Sequence, residues 1–322
     1  ILLGLGLCLL INNNVIASEI HADPSAPKNQ QPTVLQSANG TPQINIRTPS
    51  KRGVSINQYR QMDIDHKGAI LNNSRKNTQT RQAGWVQGNP WLAAGEAKII
   101  VNQINSRDPS QLNGYLEVAG RRAEVIIANP SGININGGGF INAAGVTLTT
   151  GRAQINDGQI NSIQINQGNI NINGQGLDSR DSDYTHILSK AAQINAGIWA
   201  NNLNIISGSN HIDAETQHIT PSATNNDPKP SIAIDTGKLG GMYAGKIVLI
   251  SNDKGVGINN AGQIFASAGG VVISADGKLS NSGLITSADE LNIRNQHSLS
   301  NSGEINGSRL DIISDSIHNH NG

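Results

Sequence analysis

The sequence predicts an all-β fold, a right-handed parallel β-helix (solenoid), from its composition and from an internal repeat. The chain has 322 residues, including 36 Gly, and only 3% of its residues are aromatic. Asn, Gly, Ser and Thr compete with helical hydrogen bonding, whereas the abundant Ile favours strands. Such a chain favours many thin, repeated core layers. The right hand follows from the usual crossover between parallel strands.

A repeat of about 20 residues is clearest near the C-terminus, where Asn-x-Gly segments begin at Asn260, Asn281 and Asn301. Alternation of apolar and polar residues within each unit marks three short strands. Such a unit cannot close its own core and must stack on its neighbours. Apolar residues then lie over apolar residues, and Asn over Asn forms amide ladders at the bends. The predicted apolar columns are Val271, Leu291 and Leu310; Ile273, Ile293 and Ile312; and Leu279, Leu299 and Ile317.

The same alternation predicts further coils at residues 154–172 and 192–198. Two segments break the period. Residues 176–190 are polar and charged, and residues 207–238 contain three prolines, which central strands do not accommodate. We predict that both segments are loops that leave the solenoid.

The N-terminal sequence predicts a signal peptide for export. Residues 1–11 are apolar but too short to span a bilayer as a helix, and they match the apolar region of a secretory signal peptide. A buried helix or strand is the alternative. Because no Met or basic residue precedes this stretch, we expect its start to be incomplete. Cleavage after Ala17 or Ala22 is compatible with the sequence, and we prefer Ala22, which makes residues 1–22 the signal peptide.

A solenoid exposes strand edges at its first coil, which invites aggregation unless a cap covers them. Residues 31–73 lack the clean repeat but contain short strand-like runs, and we predict that they form this cap. The sequence ends within a repeat unit, from which we expect further β-helix after residue 322.

Charge and motif content argue against several other functions. Lys plus Arg and Asp plus Glu are both 23, so the cationic stripe that a nucleic-acid-binding protein needs is missing. His318 and His320 lack a second ligand pair. The Asp residues of segment 178–183 do not follow calcium-loop spacing, and Gly137–139 lacks the Lys-Ser/Thr of a phosphate loop. We therefore predict no metal, cofactor or catalytic residue.

Two Asn-Pro motifs indicate a more specific function. Each pair alone is a turn former, because Asn tolerates left-handed backbone and Pro fixes φ. With their flanks, residues 89–92 (NPWL) and 129–133 (NPSGI) resemble the NPxL and NPxGI motifs of the haemagglutinin-type two-partner secretion domain. Ser131 stands where the commonest form of the second motif has Asn. The residues that match the family motifs are Asn89, Pro90, Leu92, Asn129, Pro130, Gly132 and Ile133.

The resemblance covers nearly the whole chain after the leader. It assigns residues 23–240 to the secretion domain with its cap and residues 241–322 to the start of the β-helical repeats of a longer exoprotein. The segments that carry it, besides the motifs, are residues 53–59 and 68–74 for the cap, 140–151 for the first full coils and 240–247 beyond the minimal domain. The resemblance also implies β elements outside the helix, which we assign to residues 112–118.

By this resemblance, the chain is the secretion-signal domain of an adhesin or of a contact-dependent growth inhibition toxin carrier. Such a domain leaves the Sec translocon, is recognised in the periplasm by POTRA domains of an outer-membrane β-barrel transporter, and folds at the surface of a Gram-negative cell. The motif residues either contact the transporter or shape turns. A receptor would be bound through the part of the protein that follows. The alternatives are an adhesin segment that binds a surface itself and a fragment of a β-helical polysaccharide-degrading enzyme.

Overall fold

Short alternating runs of Ile, Leu and Val fold into a β-helix with three parallel faces, which confirms the predicted solenoid. The computed structural model describes residues 18–222 and 229–320. Of the predicted signal peptide, residues 1–22, residues 1–17 lie outside the described residues. Inward side chains of the three faces form one continuous apolar core, and polar side chains alternate with them on the outside.

The first fourteen strands form the cap and the first coils. They are β1 (Glu19–Ala22), β2 (Thr33–Gln36), β3 (Pro42–Asn45), β4 (Val54–Asp63), β5 (Ala69–Asn73), β6 (Thr78–Thr80), β7 (Gly84–Val86), β8 (Ile99–Ile104), β9 (Ser110–Leu112), β10 (Tyr115–Gly120), β11 (Ala123–Ala128), β12 (Ile133–Ile135), β13 (Gly138–Ile141) and β14 (Ala143–Thr149). Two single 3₁₀ turns, at Lys28–Gln30 and Pro90–Leu92, are the helical elements of the described chain.

The remaining strands continue the helix. They are β15 (Arg152–Asn156), β16 (Gln159–Ile165), β17 (Asn169–Ile172), β18 (Leu177–Asp178), β19 (Thr185–Ser189), β20 (Ala191–Ile194), β21 (Gly197–Trp199), β22 (Asn202–Ser207), β23 (Asn210–Asp213), β24 (Ile219–Pro221), β25 (Ile232–Thr236), β26 (Gly241–Ala244), β27 (Lys246–Ser251), β28 (Gly257–Asn260), β29 (Gln263–Ala266), β30 (Val271–Ala275), β31 (Leu279–Asn281), β32 (Leu284–Asn301) and β33 (Glu304–Asn319).

Each face is a ladder of parallel strands from successive coils. The first face runs β4-β8-β11-β14-β19-β22-β27-β30. The second runs β9-β12-β17-β20-β25-β28-β31. The third runs β3-β5-β10-β13-β18-β21-β26-β29. Strands β32 and β33 bend around the corners and complete all three faces.

The cap closes the N-terminal end with antiparallel strands. Strand β2 pairs with β3, and β1 pairs with the second half of β4. The predicted cap region, residues 31–73, is therefore only partly cap. Its strands β4 and β5 pair in parallel with β8 and β10, so they already form the first coil.

The predicted columns are confirmed, because Val271 pairs with Leu291 and Ile273 with Ile293 in register, and both columns continue into β33. Amide ladders lie at the bends, as expected. The Nδ2 of Asn260 donates to Oδ1 of Asn281, and Nδ2 of Asn281 donates to Oδ1 of Asn301, both at 2.8 Å. The ladder satisfies buried amides inside the coil, where an unpaired polar group is costly.

The prediction of a coil at residues 154–165 is wrong. Strands β15 and β16 form an antiparallel hairpin that joins β23 and β24 in a four-stranded sheet outside the helix. The turn is Asp157-Gly158, where both residues have positive φ, 50° and 72°. Asp-Gly between alternating apolar residues is the strongest short-range hairpin signal, and it outweighs the repeat here. The sheet packs on apolar residues of the outer side of the first face, including Ile126 and Leu188.

The assignment of residues 112–118 to the extra-helical elements is also wrong. Strand β10 lies between β5 and β13 on the third face. The second element outside the helix is the β6–β7 hairpin, which packs on Ile70 and Ala119 of that face.

Residues 176–190 stay in the solenoid, contrary to the loop prediction. Leu177 and Ile187 point inward and are fully buried in β18 and β19, while the charged residues between these strands face outward. By contrast, residues 208–222 leave the helix, as predicted, whereas residues 232–236 of the predicted loop form β25 on the second face. Within the described residues, no helix is long and apolar enough to cross a membrane.

Candidate functional site

The first Asn-Pro motif is a 3₁₀ turn that enters β8, with Asn89 as its N-cap. Asn89 is almost fully buried, and all of its side-chain hydrogen-bonding groups are used. Its Nδ2 donates to the carbonyl oxygens of Ile46 and Asn72, both at 2.9 Å, and its Oδ1 accepts from the Trp91 N–H at 3.0 Å. Leu92 is fully buried in the helix core. Asn89 thus joins the end of the cap to the first coil.

The residues between Asn89 and Leu92 face outward. Pro90 is exposed, and the Trp91 side chain is 38% exposed. The Arg47 guanidinium lies 3.8 Å from the centre of the Trp91 ring, a cation–π contact, and the Trp91 Nε1 donates to Thr33 Oγ1 at 3.2 Å. This motif therefore presents a proline and an aromatic ring at the surface beside the cap.

The second motif repeats this geometry between β11 and β12. The Asn129 Nδ2 donates to the carbonyl oxygen of Asp108 at 3.1 Å and to Ser110 Oγ at 3.0 Å, and its Oδ1 accepts from the Ser131 N–H at 2.9 Å. Gly132 has φ of +119°, and a Cβ there would lie 2.9 Å from the Asn169 carbonyl oxygen. Gly is required at this position because a side chain would strain the turn and collide with the next coil. Ile133 begins β12 and is fully buried.

The two motifs share one design but do not form one site. In both, a buried Asn ties its own turn to an earlier part of the chain, Ile46 and Asn72 in the first motif and segment 108–110 in the second, and Pro follows at the start of the turn. The first motif lies at the corner between the third and first faces, and the second at the corner between the first and second faces. In each motif the Asn side chain acts as a hydrogen-bonded clamp: it holds the turn against earlier residues and so fixes where the next strand, β8 or β12, begins.

A buried ion pair that the sequence did not suggest lies where β23 and β24 leave the helix. Lys190 Nζ is 2.6 Å from Asp253 Oδ2, and both side chains are 9% exposed. Lys190 also donates to Ser209 Oγ at 2.5 Å, and Asp253 Oδ1 accepts from the Ser209 N–H at 2.9 Å. These three residues come from different coils. The pair, with Ser209, therefore fastens the start of the excursion to the solenoid.

A cavity of about 370 Å³ lies between the first face and the four-stranded sheet. Its wall includes Tyr184 and His186, whose rings contact each other at 4.5 Å between centroids. Burial lowers the pKa of His186 to about 4, so the imidazole is neutral at pH 7. Burial, with the nearby charge of Glu124, raises the pKa of Tyr184. The sequence did not indicate this cavity, since its walls come from strands far apart in the chain.

Metal chemistry has no support among residues 18–222 and 229–320, where no three His, Cys, Asp or Glu side chains come together as ligands. In the acidic segment 178–183, carboxylates are paired with arginines instead. Asp178 binds Arg180 at 2.7 Å and Asp183 binds Arg122 at 3.1 Å. This segment therefore forms exposed ion pairs on the third face.

Comparison with known proteins places this architecture in a family. Residues 18–281 match the family model described as the TPS secretion domain. The chain also resembles the crystal structure of the filamentous hemagglutinin secretion domain, with a TM-score of 0.77 and 27% identity over 94% of this chain and 99% of that one. That domain is a β-helix too, so the likeness holds over nearly its full length.

Similar curated proteins are much longer than this chain. "Toxin CdiA" of Yersinia pestis is 57% identical over 288 residues, which cover 89% of this chain and 9% of that protein. "tRNA nuclease CdiA-2" of Burkholderia pseudomallei is 43% identical over 279 residues, 86% of this chain and 9% of that protein. The chain thus spans about a tenth of these relatives, and their nuclease and toxin names describe the whole proteins.

Proposed function

Because the chain belongs to the TPS secretion domain family, whose exoproteins reach the surface or the medium of Gram-negative bacteria through an outer-membrane transporter, we propose that POTRA domains of that transporter recognise it in the periplasm. The predicted signal peptide would deliver it there through the Sec translocon. The match over residues 18–281 is the observation that carries the proposal.

The motif geometry supports a specific division of roles. Asn89 and Asn129 are buried and fully hydrogen-bonded, so their amides act in the folded domain by holding turns. Pro90 is exposed and contributes little to packing. In the extended chain, before these clamps form, an Asn-Pro segment has free backbone groups that can pair with the edge of a POTRA sheet. We assign transporter contact to Pro90 and folding to the two asparagines.

Folding of the emerged chain outside the outer membrane would make its movement through the transporter unidirectional. A solenoid adds one coil to the coils already stacked, so each emerging repeat buries apolar area without waiting for the rest of the chain. The clamps at Asn89 and Asn129 join the cap and the first coils. They would therefore complete the template on which later coils stack.

The experiment compares secretion with stability for single substitutions. We expect Pro90→Ala to change the free energy of unfolding by less than about 1 kcal/mol but to reduce release into the medium strongly when the transporter is co-expressed. Pro27→Ala is the control, because Pro27 is also an exposed proline at a 3₁₀ turn but lies outside both motifs and their hydrogen-bond partners. Equal release from both variants would contradict transporter contact at Pro90. Deleting residues 89–133 would be less informative, since it removes β8 to β11, which contribute to all three faces of the first coils.

For the rest of the protein we propose a contact-dependent growth inhibition exoprotein rather than a host adhesin. The observation that favours it is the 57% identity to a protein named Toxin CdiA, against 27% to the filamentous hemagglutinin domain. Sequencing the gene downstream of residue 322 tests this. A C-terminal domain with neither toxin nor nuclease activity would favour the adhesin.

A further inference from the structure

The residues just after the apolar leader are part of the folded cap. Strand β1 pairs antiparallel with β4, with Glu19 opposite Asp63 and Ile20 opposite Met62. Ile20 is 6% exposed and belongs to the main core. Removing this strand would uncover the edge of β4 and the fully buried Met62. A cut after Ala22, which the sequence alone favoured, would therefore damage the cap.

Ser18, directly before β1, is held by two reciprocal hydrogen bonds. Its backbone N–H donates to Asp65 Oδ2 at 3.3 Å, and the Asp65 N–H donates to Ser18 Oγ at 3.0 Å. Asp65 is 8% exposed, and its other oxygen accepts from the Lys67 N–H at 2.9 Å. A carboxylate thus faces the nitrogen that would become the α-amino group if the chain began at Ser18.

The sequence and the family boundary point to the same bond. Residues 15–17 read Val-Ile-Ala, with Ala before the bond as the signal-peptidase rule requires. The family match begins at residue 18. Both observations are independent of the contact between Ser18 and Asp65.

We propose that signal peptidase hydrolyses the Ala17–Ser18 bond and that the α-ammonium group released at Ser18 forms an ion pair with Asp65. One water is consumed, its oxygen stays with the Ala17 carboxylate, and the Ser18 nitrogen becomes a protonated amine. The carboxylate's hydrogen bond from a neutral N–H is thereby replaced by an ion pair with an ammonium group. Processing thus fastens β1 to the cap. The inference rests on the export proposed above.

The cleavage site is tested on protein exported to the periplasm of cells that lack the outer-membrane transporter, so the result does not depend on the transporter step. N-terminal sequencing and intact mass should give Ser18 as the first residue. A mature protein that begins at Asp23, or one that keeps its leader, would overturn the proposal.

The ion pair is tested by acylating the N-terminal amine of the exported protein at pH 7, since only the uncharged amine reacts. We expect Asp65→Asn to speed this reaction about fivefold, the factor for an ion pair of ~1 kcal/mol. Asp63→Asn is the matched control: Asp63 is equally buried, but it accepts from the Gln111 N–H and Gln61 Nε2 instead. Equal rates in the two variants would overturn the pair. If Asp65→Asn fails to fold, the wild-type rate must still be below that of a free peptide of residues 18–22.

Discussion

Replacing Asn129 with Ala tests whether the second motif is a structural clamp. The substitution removes the bonds to Asp108, Ser110 and the Ser131 N–H. A net hydrogen bond contributes about 1 kcal/mol, and a buried partner left without one costs more. Because Asn129 is fully buried and uses three bonds, we expect a loss of about 3 kcal/mol in the free energy of unfolding.

The control is Asn134→Ala in the strand that follows. Asn134 is only partly buried, and its side chain accepts one bond, from Asn171 Nδ2 at 2.9 Å. Its replacement should cost less than about 1 kcal/mol. Equilibrium unfolding in guanidinium chloride, followed by tryptophan fluorescence, measures both values. If Asn129→Ala destabilises the domain no more than Asn134→Ala does, the clamp interpretation is refuted.

Two further predictions concern the other buried groups. The folded state holds the pKa of His186 at about 4, below its ordinary 6.5. The unfolded chain therefore binds more protons between these values, and stability should fall by about 3 kcal/mol as pH drops from 7 to 4. His186→Gln should remove this part of the acid sensitivity in unfolding titrations, and an unchanged pH profile would contradict the burial of a neutral imidazole. Lys190→Met should destabilise the domain by about 3 kcal/mol, because the Asp253 carboxylate stays buried and unpaired. Adding Asp253→Asn should restore most of that loss, and a double variant as unstable as the single one would show that the ion pair is not the cause.

The interior of the solenoid was predictable because it repeats. In the columns through Val271 and Ile273, inward residues recur at a fixed interval, and each Asn of the ladder stands at the same place in its coil. A period of two identifies a half-buried strand wherever it occurs. These columns and ladders therefore matched the sequence analysis residue by residue.

The elements outside the helix were not predictable from alternation, since a hairpin and a coil have the same period of two. Residues 154–165 differ from a coil only by the Asp157-Gly158 turn. Strand β18 has two residues, too few for any period to appear, and its charged neighbours concealed the buried Leu177. Ion pairs such as Lys190 with Asp253 join residues 63 positions apart and leave no local signal.

The motif residues were found by resemblance, and the structure adds what each side chain does. Asn89 and Asn129 could not be distinguished from ordinary turn residues by sequence, because their partners, such as Ile46 and Ser110, lie in distant segments. Only the folded chain shows that both amides are saturated. The exposed Pro90 differs from them in this respect.

The four-stranded sheet forms in two stages when the β-helix is assembled from its N-terminus. Its hairpin β15–β16 and its other half, β23 and β24, leave the solenoid from different coils, with β17 to β22 between them. If the chain folds from its N-terminus onward, the hairpin packs for a time on Val101 and Ile126 of the earlier coils without β23, as a two-stranded element that is marginally stable by itself. The hairpin can pair with β23 only after residue 213 has joined the folding chain. The four-stranded sheet is thus completed about two turns behind the growing end of the β-helix, and a chain arrested in that interval would expose the unpaired edge of β16.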